Sequence, residues 1–142
     1  MVRSAIGVVV AAAAWMVAFF TQASILVRIW PDYAVSAAAW MDAGSFEFTT
    51  GQGWFNLLFW LVAEIFAGWL AVVIARRREA AWALAALLGL YMAYMHLYAA
   101  WDLIPWWYNL VAALPVAPAV LAGGWLARGF ARGRTAAVAA AG

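Results

Sequence analysis

The chain contains no cysteine. That excludes disulfides, thiolate metal sites and thiol redox chemistry, and it leaves the compartment open. It contains one histidine, so bis-histidine haem ligation within the chain is also excluded. There is no CxxCH, HExxH or histidine-rich tract, and no metal or other cofactor is expected. Lysine is missing too: all 8 basic residues are arginine, which together with abundant alanine suggests a GC-rich bacterial genome. Charged residues make up only 10% of the 142 positions, and the net charge is +2. The arginines gather at the ends of apolar runs, so nothing resembles a nucleic-acid surface.

What the chain does have is apolar length. Hydrophobic residues form 70% of it, and the mean hydropathy is +0.93. A soluble domain of this size needs a polar shell that this composition cannot supply. A bilayer core ~30 Å thick is crossed by about 20 apolar residues in a helix. Four uncharged or nearly uncharged runs reach that length: Ala5 to Val27, Trp54 to Ala75, Ala80 to Trp101 and Ile104 to Ala127. The expected fold class is all-α, a single bundle of four transmembrane helices within residues 1–134, with a frayed Ala/Gly-rich tail over 135–142.

Arginine marks the cytoplasmic side. Arg3, the Arg76-Arg77-Arg78 turn, and Arg128, Arg132 and Arg134 all fall on one side if both termini are inside; only Arg28 dissents. The expected topology is N-in/C-in, in a bacterial inner membrane. The start of the chain also resembles a signal peptide with a cleavage site near Thr21-Gln22-Ala23. However, the apolar run continues to Val27, which favours a retained span. Residues 28–53 form an outer loop. There Pro31-Asp32 can open a short helix reaching Asp42, with Gly44 as its stop. Trp30, Tyr33 and Trp40 suit the headgroup zone, so this helix is expected to lie on the membrane face. Ser45 to Thr50 alternates and can be extended.

Helices in lipid approach one another through small residues. In the second span Gly68, Ala71 and Ala75 share a face with Glu64, whereas Phe55, Val62, Phe66 and Val73 suit lipid. In the third, Ala81, Ala85, Gly89 and Ala93 share a face with His96, and Tyr91, Tyr94 and Tyr98 gather opposite. Asn109 shares a face with Ala113, Gly123, Gly124 and Ala127. Gln22 shares one with Ala11 and Ala18. Each span thus turns one polar side chain toward its packing face, which argues for a shared polar interior.

Glu64 falls ~15 Å below the outer boundary, and Gln22, His96 and Asn109 within roughly 6–9 Å of it. If spans two and three pack as an antiparallel hairpin, Glu64 and His96 lean toward each other. A charge at mid-bilayer costs about 2.5–3.5 kcal/mol on insertion scales. Glu64 can avoid that cost by staying protonated, by pairing with His96 or by reaching water. Its plain reading is packing glue; its functional reading is an acid or acceptor in a cavity. Asn56, near the outer end of the second span, joins Glu64, His96, Gln22 and Asn109 as a candidate ligand-binding residue and is expected to be wet. The Trp106-Trp107-Tyr108 cluster reads as an interface anchor. Asp102 can cap the fourth span. Pro115 and Pro118 bend that span or free backbone carbonyls at mid-depth. Met92 and Met95 read as packing.

Trp54-Phe55 with Glu64, and His96, in a bundle with inside termini and a long aromatic outer loop, resemble the four-helix sterol-isomerase and sigma-2-receptor-like membrane family. The resemblance is one of arrangement and implies an apolar ligand held against a carboxylate. The first span here carries no matching acid, and the turn at Trp101 to Pro105 is short. Three functions are open at this point. One is a pocket for a small amphipathic or lipid-like molecule, with membrane lipids as surroundings. A second is an accessory subunit contacting other membrane subunits. A third is an enzyme using Glu64 and His96 as an acid–base pair on a lipophilic substrate.

Overall fold

The structure, a computed structural model, describes residues 2–35 and 50–140. Those residues are helical and carry no strand. Helix α1 spans Val2–Ile29, α2 Thr50–Ala75 and α3 Glu79–Tyr94, which runs on through a π-helical segment, Met95–Ala99. The fourth span is broken into α4, Trp106–Ala113, and α5, Val116–Ala140. Four of these stretches are long and apolar enough to cross a membrane: Val2–Ile29, Gly51–Ala75, Glu79–Ala99 and Trp106–Arg128. Helix α5 runs on to Ala140. Residues 31–35 are helical, as Pro31-Asp32 predicts. The rest of the expected loop helix, with Trp40, Asp42 and Gly44, and the extended reading of 45–49 lie outside the described residues; Thr50 already belongs to α2.

Helix α1 shows how an apolar helix disposes of polar groups. The Thr21 and Ser24 hydroxyls donate to the carbonyls of Val17 and Phe20, at 2.8 and 2.9 Å, one turn back in the same helix. Both can therefore face outward without an unsatisfied donor. Gln22 is too long for that device. It falls on the buried stripe with Gly7, Ala11, Trp15 and Leu26 and must find partners on other helices.

Helix α2 is the hub. It packs most closely against α5 and α1, less against α3, and α1 and α5 barely meet. The second and third spans touch less closely than either of those pairs. They are joined by a tight turn, but the glycines direct α2 elsewhere. A Cβ on Gly68 would lie 1.9 Å from the Val120 carbonyl oxygen, and one on Gly123 would lie 1.8 Å from that of Ile65. The two backbones therefore touch, which only glycine permits. On its other side α2 meets Gly7 of α1, where a Cβ would come 2.9 Å from the Ala71 oxygen. Val62, Phe66 and Val73 face outward, and so do Tyr91, Tyr94 and Tyr98.

Arg3 and the Arg76–Arg78 turn meet at one end of the bundle, with Arg28 at the other end of α1. Arg3 Nε donates to the Ile74 carbonyl at 2.8 Å, beside the Arg76–Arg78 turn. Arg76 ends α2 with φ at 56°, a left-handed conformation normally left to glycine. Glu79 then opens α3, where an acid suits the positive end of the helix dipole. Its 3.7 Å pairing with Arg78 is fully on the surface and adds little.

Candidate ligand-binding site

The polar side chains picked out by the sequence are all buried, but they form two places rather than one. At the end of the bundle away from the arginine turns, the indole N–H of Trp60 donates to Gln22 Oε1 at 3.0 Å. Gln22 Nε2 donates in turn to Asn56 Oδ1. Asn56 Nδ2 then donates to the Tyr108 hydroxyl at 2.6 Å. This chain ties α1, α2 and α4 together. It also corrects two expectations: Asn56 is buried rather than wet, and Tyr108 is a fully buried strut rather than an interface anchor. Trp106, its neighbour, does face outward. The reason is helical phase: at ~100° per residue, two steps turn a side chain nearly to the opposite face.

Asn109 closes the turn between the third and fourth spans. Its Nδ2 reaches the carbonyl oxygens of Ala100, Trp101 and Ile104 at 3.2, 3.3 and 3.1 Å. These carbonyls fall where the helix ends, so no helical N–H serves them all. Asp102 does not cap the fourth span: that helix starts after Pro105 with no side-chain cap. The other end of the Asn109 amide, Oδ1, lies 2.9 Å from His96 Nδ1. His96 sits in the π-helical segment, where the Ala100 N–H reaches back to the Met95 carbonyl at 2.7 Å. The wider turn rotates the ring inward, beneath the Trp60 and Tyr108 rings at 5.7 and 6.0 Å between centroids. Nothing in the periodicity announces a π-turn, and such turns frequently accompany functional sites.

Gln22, Tyr33, Asn56, His96 and Tyr108 line one cavity of about 240 Å3, bounded otherwise mainly by apolar and aromatic side chains that include Trp15, Phe19, Trp60 and Met92. Met92 and Met95, read as packing, both line it. Among the described residues its exposed lining side chains are Met16 of α1, 41% exposed, and Tyr91 of α3, 45% exposed. Both lie well inside the spans, so the cavity has its open side along the bundle, between α1 and α3.

Glu64 is elsewhere. It is 2% exposed and lines a second cavity of about 110 Å3 with Leu57, Leu61, Val111, Ala112 and Pro115. Among the described residues its carboxyl has no hydrogen-bond partner, and it is not sealed off from that cavity. Pro115 has no N–H for the Val111 carbonyl, and Pro118 has none for that of Leu114, so the helix breaks at 114–115. The small cavity therefore combines a carboxyl with loosened backbone, and it has room for water to bridge them. The expected pairing of Glu64 with His96 does not occur. Trp60 stands between them, lining both cavities, and His96 takes Asn109 instead.

Compared with protein-family models, curated proteins and solved structures, the chain matches none.

Proposed function

We propose that this is a small membrane protein, N-in/C-in in a bacterial inner membrane, that holds a small amphipathic or lipid-like molecule in the cavity between α1 and α3. The observation that carries the reading is the shape and chemistry of that cavity. Among the described residues its walls are aromatic and apolar, its polar groups are uncharged, and its exposed side is bordered by Met16 and Tyr91. In a bilayer that side opens onto acyl chains, the direction from which a lipophile arrives. A mostly apolar pocket with a few convergent polar groups is the usual form of a small-molecule site. His96 and Gln22 are its polar centre, with Asn56 and Asn109 holding them in place. Glu64 serves the neighbouring small cavity. The arginine-rich end lies in the cytoplasm by the positive-inside rule.

The test is to purify the protein in mild detergent, extract it and identify small molecules by mass spectrometry, alongside the Ala23→Trp variant. Ala23 lines the cavity and is half-buried, so an indole there fills the space. A recurrent molecule in the parent that is lost from a normally folded A23W supports the reading. Identical, non-stoichiometric lipid in both refutes it.

A further inference from the structure

We infer that the ligand is a neutral lipophile whose hydroxyl group donates a hydrogen bond to Nε2 of His96; this rests on the cavity between α1 and α3 being a binding site. Gln22, Asn56 and His96 line the cavity with their amides and ring, and the first two are saturated by protein partners. Gln22 accepts from Trp60 and donates to Asn56. Asn56 accepts from Gln22 and donates to Tyr108. Both ends of both amides are thus engaged within the protein. Histidine is different, and its state follows from Asn109. Three backbone carbonyls crowd one end of that amide. Carbonyls only accept, so the NH2 end must face them. The end facing His96 is then the oxygen, 2.9 Å from Nδ1, and Nδ1 must carry the hydrogen.

With Nδ1 protonated, a neutral imidazole presents a bare lone pair at Nε2. Among the described residues Nε2 has no partner, and it is not sealed from the cavity that His96 lines. Of the Gln22, Asn56 and His96 acceptors, it is the one still without a hydrogen.

The rest of the cavity narrows the class. Among the described residues no Arg, Asp or Glu lines it. A carboxylate, phosphate or ammonium group would be buried there without a counter-charge, at heavy desolvation cost. A ketone, aldehyde or ether would set a lone pair against the Nε2 lone pair. An alcohol or phenol satisfies both requirements. The volume of about 240 Å3 suits a head of on the order of ten non-hydrogen atoms, near the lower limit of small-molecule sites, with any longer chain leaving past Met16 and Tyr91.

His96 is the sole histidine, so it can be watched alone. The full chain is labelled with 15N-histidine, placed in phospholipid nanodiscs, and offered four ten-carbon probes: decanol, its methyl ether, decanal and decanoate. Nitrogen NMR reads the tautomer and the hydrogen bonding of Nε2, and thermal melting ranks the probes. The expected result is an Nδ1–H tautomer, a shift of the Nε2 resonance toward the hydrogen-bonded range with decanol alone, and decanol binding at least roughly tenfold tighter than the ether, as befits leaving a buried acceptor unmet. In His96→Phe that preference disappears; if this variant does not fold, the parent's NMR decides. An Nε2–H tautomer, or equal binding of decanol, ether and aldehyde with no shift, overturns the hydroxyl inference while keeping the pocket. If no probe binds, the pocket falls as well.

Discussion

The contact between α2 and α5 makes a strong quantitative prediction. In Gly68→Ala the new methyl would lie 1.9 Å from the Val120 oxygen, 2.7 Å from its carbonyl carbon and 2.9 Å from its Cα. All three are backbone atoms, so no side chain can swing aside. Ordinary contact begins at 3.4 Å, so the helices must separate by about 1.5 Å locally. Overpacking of this kind costs about 1–3 kcal/mol, and here it also opens the best-packed seam of the bundle, so the upper half of that range is expected. Gly123→Ala meets the Ile65 oxygen at 1.8 Å from the other side of the same seam and should cost as much. Once one alanine has separated the helices, the second meets little. The double variant should therefore fall short of additivity by about 1–2 kcal/mol, within the range seen for coupled neighbours. Gly89→Ala is the control: its Cβ would meet only the Ala117 methyl, at 3.7 Å, and stability should hold. Reversible unfolding in mixed micelles measures all four. Loss of less than about 0.5 kcal/mol in G68A, or strict additivity, would refute the claim that these two backbones touch.

Other outcomes follow from the polar network. Tyr108→Phe keeps the ring and leaves the buried Asn56 amide without its 2.6 Å acceptor, so unfolding should become easier by about 1–3 kcal/mol. Asn109→Ala removes a side-chain donor shared by three carbonyls at the turn. Amide hydrogen exchange at Leu103 and Ile104, both bonded to Ala100, should quicken more than exchange in the middle of α2. Glu64→Gln should leave decanol binding unchanged, because Glu64 does not line the larger cavity; a loss of binding would show that the two cavities work as one. Arg76→Gly relieves a left-handed residue at φ 56°, and by the ~1–2 kcal/mol scale of that strain, less glycine's entropy, it should be neutral to slightly stabilising in thermal melts.

Four helical stretches able to cross a membrane were legible in the amino-acid order alone, because bilayer thickness fixes run length and backbone polarity forces helices. That order also determined which side chains turn inward. Gln22, Glu64, His96 and Asn109 were marked by sharing faces with small residues, and burial follows from that because small residues are where helices in lipid approach. Only the tertiary structure decided who meets whom. Helical phase fixes the face a residue occupies and says nothing about which neighbour covers it. Two glycine contacts seat α2 against α5, and that choice sends Glu64 to the proline break rather than to His96. The π-turn at Met95–Ala99 and the side-on partners of Asn56 and Tyr108 were equally illegible. Each depends on a shift of one residue in register or a bond across thirty or more positions, and neither leaves a mark in hydrophobic periodicity.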